Sequence, residues 1–299
     1  MNDNFYIQKI DFKDKNTIIQ SLSLLREVFN NEQFTIDWWK WKYLNSPFGE
    51  ALGWSIVDKR IGKIVALRIV WRWNLKKGTK KIDAFQMVDT ATSSSCRGMG
   101  FFKILTLEAL KTIGNRVIFN FPNSNSAPLD IKLGWKELKN QPWLLLFSNP
   151  LYFSKPQYLS GKLENFDFGL LKQYTNDIKE YWHTPWDVKL LKWRFLEHPN
   201  NQYYFFLYKK ELIIYRIDLF KKFRVATIVY SIGQDVFSTF SHFLFKSKIV
   251  AFRYNAYNNP NYQFLSKKKL CFHIKKKFKY YSYNYFEPLE LTTGETDFL

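Results

Sequence analysis

Four residues in the first half of the chain, Arg97-Gly98-Met99-Gly100, lie between a β-like run ending at Thr92 and a helix-patterned segment that opens at Phe101. A strand, a glycine-bearing loop and a helix start together aim backbone N–H groups outward at the positive end of a helix. Such a place holds an anion, for example a pyrophosphate. The same glycines and serines also suit a tight turn and a helix cap, so the loop alone admits either use. A second strand, Val117-Ile118-Phe119-Asn120-Phe121, runs into Pro122-Asn123, a short helical stretch and a stop at Gly134-Trp135. Metal and thiol chemistry find no support: Cys96 and Cys271 stand alone, and His183, His198, His242 and His273 are scattered. That usage points to a reducing compartment with neither disulfides nor a zinc site.

The elements that position the loop read, in order, as helices over 17–30 and 36–44, strands over 54–58, 63–73 and 81–92, a helix over 101–113, a strand over 116–121 and a helix over 127–133. A strand over 143–148 is expected to complete this sheet. The pattern then returns: Lys40-Trp41-Lys42-Tyr43-Leu44, followed by Pro47, recurs as Lys192-Trp193-Arg194-Phe195-Leu196, followed by Pro199. A strand pair follows each copy. The fold expected is mixed α/β, two tandem modules, each a central twisted mixed sheet flanked by helices. The first would occupy 1–149, a linker 150–163 and the second module 164–299. In the second, strands over 213–219 and 226–233 lead to a helix over 236–245 and a strand over 249–255. No counterpart of the Arg97–Gly100 loop follows Gly233, and 260–270 reads as a relic of the last helix.

A net charge of +19 over 299 residues invites a nucleic-acid reading, because a basic chain gains affinity by releasing counterions from phosphates. The excess is spread evenly over both halves, however, and Lys far outnumbers Arg, whereas planar recognition of bases favours Arg. A Lys-rich solvated surface is the simpler reading, and such a field also favours an anionic small ligand or a cytoplasmic leaflet. No secretory leader is visible after Met1, and no apolar run reaches membrane-spanning length. A cytoplasmic protein with no specific nucleic-acid partner is expected.

Taken together, two signatures resemble those of the GCN5-related N-acetyltransferases. Arg97 and Gly100 match that family's Arg/Gln-x-x-Gly-x-Gly/Ala loop, and Phe102 departs from it in place of the small residue. Asn123, Ser126, Lys132, Gly134 and Trp135 fall on its second signature, Asn-x-x-Ala/Ser followed by Lys-x-Gly-Phe. The resemblance implies acetyl-coenzyme A as acetyl donor, with no metal. The backbone of Thr90, Ala91 and Thr92 would then take the pantetheine arm. The amides of Gly98, Met99, Gly100, Phe101, Phe102 and Lys103 would cradle the pyrophosphate, Arg97 would contact phosphate or brace the turn, and Asn123 would bond the arm near the thioester. Holding amine and thioester in line supplies much of the rate, on the order of 7–11 kcal/mol at best. Asp89 is the candidate base, against a solvated strand-end role. Asp130 stands where many members have a Tyr acid; it can donate only if buried or paired, and Ser126 is the other candidate donor.

The resemblance extends to two-module members, so the second module would be degenerate and complete the acceptor cleft. The acceptor implied is a primary amine, most simply a nucleotide-linked amino sugar in bacterial surface-polysaccharide synthesis. An aminoacyl or peptidyl transferase of the peptidoglycan-branching type and a catalytically decayed acyl-CoA-binding protein remain as alternatives. Among Trp38, Trp39 and Trp41, at least one is expected to face outside the core, as a stacking platform or as ordinary packing. Oligomeric state is not readable from these residues.

Overall fold

A computed structural model of the chain describes residues 3–150, 156–173, 179–233, 236–255, 272–283 and 289–291. The chain divides into two compact units, Met1–Leu138 with Tyr280–Glu287, and Lys139–Lys279 with Pro288–Leu299.

The first unit contains β1 (Phe5–Lys9), α1 (Lys15–Phe29), α2 (Ile36–Trp39) running on as a π-helical turn (Lys40–Leu44), β2 (Leu52–Asp58), β3 (Lys63–Lys77), β4 (Lys80–Thr92), α3 (Phe101–Ile113), β5 (Val117–Asn120) and α4 (Ala127–Lys132). Its sheet runs β1-β2-β3-β4-β5, and Tyr281–Tyr283 close it antiparallel to β5. The first four strands are antiparallel, whereas β4 and β5 run parallel through the α3 crossover, so the sheet is mixed. β3 is buried without interruption from Ile64 to Trp71. Such a run belongs to a central strand covered on both faces, and α1 and α3 both pack on it. Helix starts are specified locally. The Asp14 carboxylate accepts from Thr17 N at 2.7 Å, and the Thr35 hydroxyl from Trp38 N at 3.2 Å, each satisfying a donor the helix leaves open. Gly53 permits close approach of the chain, since a Cβ there would lie 2.9 Å from the Phe12 ring.

The second unit repeats this plan. It holds most of β6 (Lys136–Phe147), then β7 (Tyr158–Lys162), β8 (Trp182–His183), α5 (Val188–Leu191) with its own π-helical turn (Lys192–Leu196), β9 (Tyr204–Tyr208), β10 (Glu211–Phe220), β11 (Phe223–Ile232), α6 (Val236–Lys246), β12 (Ala251–Asn255), β13 (Phe272–Tyr283) and β14 (Leu289–Glu290). The sheet runs β7-β9-β10-β11-β12 and then β6, with β11 and β12 parallel through α6 and β6 antiparallel to β12. β14 pairs parallel with β8. The repeated Lys-Trp-Lys/Arg-Tyr/Phe-Leu segments thus adopt the same α-then-π conformation, and Asp187 caps α5 as Thr35 caps α2. The mixed α/β architecture with two sheets agrees with the sequence reading.

Two expectations need correction. The strand expected over 143–148 does not complete the first sheet: Trp143–Phe147 pair with β12. Leu144 and Leu146 alternate inward there and join Ile228, Phe240 and Phe252 in the second core, and the first sheet is closed by Tyr281–Tyr283 instead. Nor is the whole of 150–163 a linker, because β7 lies within it and pairs with β9. Part of the expected linker, 151–155, and the helical relic at 260–270 lie outside the described residues. No helix among the described residues is long and apolar enough to cross a membrane.

Candidate active site

β4 and β5 are in register only from Ala84 opposite Val117 to Met87 opposite Asn120. Beyond that point β4 continues to Thr92 paired with β3 alone. Between Arg68–Thr90 and Val70–Met87 the register shifts, so that Val88 and Asp89 oppose the single residue Ile69. A bulge of this kind bends its strand and re-aims the side chains around it. The end of β4 therefore leaves β5, and the backbone of Thr90–Thr92 has no partner strand on that side among the described residues.

After β4 the chain makes a 3₁₀ turn (Ser94–Cys96) and reaches the loop. Gly98 and Gly100 have φ of +82° and +77°, values that only glycine adopts without strain. α3 starts at once, with no side chain capping it. Its first bonded amide is Ile104 N, which donates to Gly100 O at 3.1 Å, so the amides of Phe101, Phe102 and Lys103 lie before the helical ladder begins. Arg97, Gly98, Met99 and Gly100 are exposed. Open amides at the positive end of a 13-residue helix, reached from an exposed loop with two glycines, are the arrangement that favours an anion. Phe101 anchors the helix start in the core, 5.1 Å from the Phe5 ring, and Lys103 is exposed beside it.

Phe102 has a structural partner: the Arg68 guanidinium lies 4.9 Å from its ring centroid. Arg68 projects from β3, 2% exposed, and donates to the Thr90 hydroxyl of β4. On its other side stands Asp130 of α4, fully buried, with Nη2 to Oδ1 at 3.9 Å. Asn120, the last residue of β5, donates to Asp130 Oδ2 at 2.8 Å. Arg68 Nε and Nη2 and Asp130 Oδ1 are buried without hydrogen-bond partners. Burial pushes the Asp130 carboxyl above the ordinary carboxylate value, against the opposing pull of Arg68 and of the Asn120 bond. Burial also lowers Arg68 to about 10, with Asp130 working the other way. Asp130 is thus both buried and paired.

Asp89 lies in a separate buried cluster. Its Oδ2 accepts from the Tyr43 hydroxyl at 2.5 Å and sits 2.8 Å from Lys42 Nζ. Lys42 is itself buried, with its ammonium 4.7 Å from the Trp38 ring centroid and 5.4 Å from that of Trp71. The π-helical turn delivers Lys42 and Tyr43 to this point. Asp89 is accordingly neither solvated nor free. The expected outward-facing Trp is overturned as well: Trp38, Trp39 and Trp41 are all in the core, and Trp39 Nε1 donates to Phe12 O at 3.1 Å. Of these rings Trp38 faces the buried Lys42 ammonium, while Trp39 packs on Phe12 and Tyr43.

Asn123 and Ser126 form one turn. Asn123 Oδ1 accepts from Asn125 N at 2.9 Å and from Ser126 N at 3.0 Å, and the Ser126 hydroxyl accepts from Asn123 N at 3.1 Å. This reciprocal pattern starts α4 and fixes where Asp130 enters. The structure therefore gathers Arg97 to Lys103 with the end of β4, puts Asp130 behind Thr90 through Arg68, and sends Asp89 to the Lys42 cluster. Among the described residues no group of three His, Cys, Asp or Glu is placed to hold a metal ion.

No family model matches this sequence, and no curated protein matches it. Solved structures do match in architecture. A conserved Enterococcus faecalis protein of unknown function, described as a probable N-acyltransferase, superposes with a TM-score of 0.66 at 10% identity, covering 93% of this chain and 71% of that one. A GCN5-related N-acetyltransferase from Anabaena variabilis gives 0.65 at 13% identity, covering 93% and 72%. Saccharomyces cerevisiae N-myristoyltransferase with bound myristoyl-CoA gives 0.62 at 12%, covering 95% and 80%. The chain has the GCN5-related N-acetyltransferase fold. Within that fold the loop at Arg97–Gly100 follows the strand that leaves its neighbour, and α4 follows the strand beyond the crossover.

Sequence reasoning missed Arg68, Lys42 and Tyr43. Arg68 was legible as the lone cation within the apolar run Ile64 to Trp71, where a charge is retained in a central strand only with a partner. Lys42 was legible too, because the repeat keeps a cation at that place, Arg194, which is likewise buried.

Proposed function

We propose that the protein is an acyl-CoA-dependent N-acyltransferase of the acetyltransferase type, moving an acetyl group from acetyl-CoA to a primary amine. The observation that carries this reading is the exposed Gly98–Gly100 loop opening on an uncapped α3, beside a β4 end that has left β5. The amides from Gly98 to Lys103 would hold the pyrophosphate, Arg97 would add a charge at the loop, and Thr90–Thr92 would hydrogen-bond the pantetheine as an added strand does. When bound, acetyl-CoA supplies the activated acyl group and a thiol leaving group. The chain's own part is to orient it, to exclude water and to manage one proton. Asp130 is the acid assigned, on its place in α4 two residues before Lys132 and on an Oδ1 that makes no hydrogen bond; in that role it would carry its proton against the pull of the Arg68 guanidinium 3.9 Å away. Asp89 keeps Lys42 and Tyr43 in place and so positions the β4 bulge. Ser126 and Asn123 set the start of α4, and the side-chain Nδ2 of Asn123 would bond the arm.

For the acceptor, the net charge of +19 favours an anionic molecule, and a nucleotide-linked amino sugar of bacterial surface-polysaccharide synthesis suits both the amine chemistry and that field. A second reading, an acyl-CoA-binding protein without turnover, draws on the complete burial of Asp130. Calorimetry with acetyl-CoA tests the shared part: binding is expected, and Gly100→Glu, which places a carboxylate on a left-handed backbone beside the phosphates, should weaken it by about 100-fold or more. No binding, or binding indifferent to this change, would sink both readings. Thiol release over a panel of amino sugars then separates them, since an enzyme accelerates it with an acceptor and a binding protein does not.

A further inference from the structure

One end of the second sheet carries a surface that the acyltransferase reading does not use. β10 and β11 meet in a hairpin whose tip reads Leu219-Phe220-Lys221-Lys222-Phe223-Arg224. Leu219 is 77% exposed, Phe220 65% and Phe223 56%. Leu219 and Phe220 are consecutive in a strand and so point to opposite faces, which makes the tip an apolar wedge. The neighbouring elements end at the same place. Val225 of β11 is in register with Ala251 of β12, and Ala251 with Phe147 of β6. Val250 N donates to Arg224 O at 3.2 Å, and Arg224 Nη1 to Ser247 O at 3.4 Å. Phe147, Phe245 and Val250 are exposed there as well.

The charges on this end have one sign. Lys221, Lys222, Arg224, Lys246 and Lys248 are exposed, and no Asp or Glu occurs in 219–224, 243–250 or 147–150. The nearest carboxylate, Asp218, is engaged by Arg216, Arg253 and Thr227. Large exposed apolar side chains gathered at one end of a unit mark an interaction site. Protein interfaces are depleted of Lys at their centre, whereas here lysines are interleaved with the rings. An anionic bilayer accepts both: apolar side chains enter the boundary between headgroups and acyl chains, while lysine stems follow them and keep their ammonium groups among the phosphates.

We propose that this end of the second unit docks on an anionic lipid bilayer, with the β10–β11 tip inserted and the five cations at headgroup level. The test is co-sedimentation of the full chain with vesicles of phosphatidylcholine alone or mixed with phosphatidylglycerol. Retention is expected on the mixed vesicles only, and added salt should weaken it. Lys221→Glu with Lys222→Glu should reduce the affinity by roughly 25-fold or more, since each cation near such a surface contributes a factor of about five. Phe220→Ser with Phe223→Ser should reduce it by about tenfold or more. Both pairs lie in an exposed tip, and unchanged circular dichroism would confirm that they fold. Equal retention on neutral vesicles, no retention at low salt, or a serine pair that binds like the parent would overturn the proposal. So would a parent dimer that the serine pair turns into a monomer, which would assign the surface to a second copy of the chain.

Discussion

Replacing Arg68 by Met and Asp130 by Asn, singly and together, tests whether the buried pair is held by mutual charge. At 3.9 Å and an effective dielectric of about 20, their attraction is on the order of 4 kcal/mol. Removing one partner of a buried pair typically costs about 3–5 kcal/mol, because the other is left buried and uncompensated. Arg68→Met strands a carboxylate whose only other bond is from Asn120. Asp130→Asn strands a guanidinium that still has Thr90 and the face of Phe102, a contact contributing up to about 2 kcal/mol when desolvated. Arg68→Met should therefore be the more costly single change, and the double variant should cost less than the sum of the singles by about 2–4 kcal/mol. Urea denaturation gives each value. pH supplies a second readout. In Arg68→Met the cation that opposes burial is gone, so the Asp130 carboxyl rises further above its unfolded value. A raised carboxyl favours the folded state when protonated, and that contribution is lost as pH climbs through the folded pKa. The penalty of Arg68→Met should consequently be largest near neutral pH and shrink on acidification. Additive singles, or a penalty independent of pH, would refute charge pairing as the reason for this cluster.

Two further outcomes concern buried Lys42 and half-buried Asp218. Lys42→Met removes the cation 2.8 Å from Asp89 and should destabilise the first unit by about 3–5 kcal/mol, measured by urea denaturation; a loss below about 1 kcal/mol would show that Tyr43 alone satisfies Asp89. In the second unit burial works to raise Asp218, yet the Thr227 hydroxyl, Arg216 and Arg253 hold its carboxyl below the ordinary value. Its stabilisation is therefore present above the unfolded pKa and lost as pH falls through the folded one. Asp218→Asn should cost about 1–3 kcal/mol near pH 7 and progressively less as pH falls through the folded pKa, and a cost that does not change with pH would contradict the pairing.

What could be read from the sequence was what local chemistry specifies. α3 spans Phe101–Ile113 as expected because Gly100 and Gly114 bracket it, and the two π-helical turns share a conformation because they share residues. β1 was missed because its apolar residues Phe5, Tyr6 and Ile7 are consecutive and do not alternate, and Phe5 alone is buried along it. The destination of Trp143–Phe147 was not legible for a different reason. An alternating Leu144 and Leu146 fits the edge of either sheet, and the choice depends on β12 and α6, which come much later in the chain. The site divides along the same line. The loop from Arg97 to Gly100 is a local device, and backbone preference alone writes it. Asp130 is not, because its protonation depends on Arg68 from a distant strand and on Asn120 at the end of another. A search for acid–base residues in such a chain does better to begin from cations embedded in apolar runs, whether strand or helical turn, since each must recruit a carboxylate whose own sequence context is uninformative. By that route Arg68 leads to Asp130, and Lys42 to Asp89, before any catalytic motif is invoked.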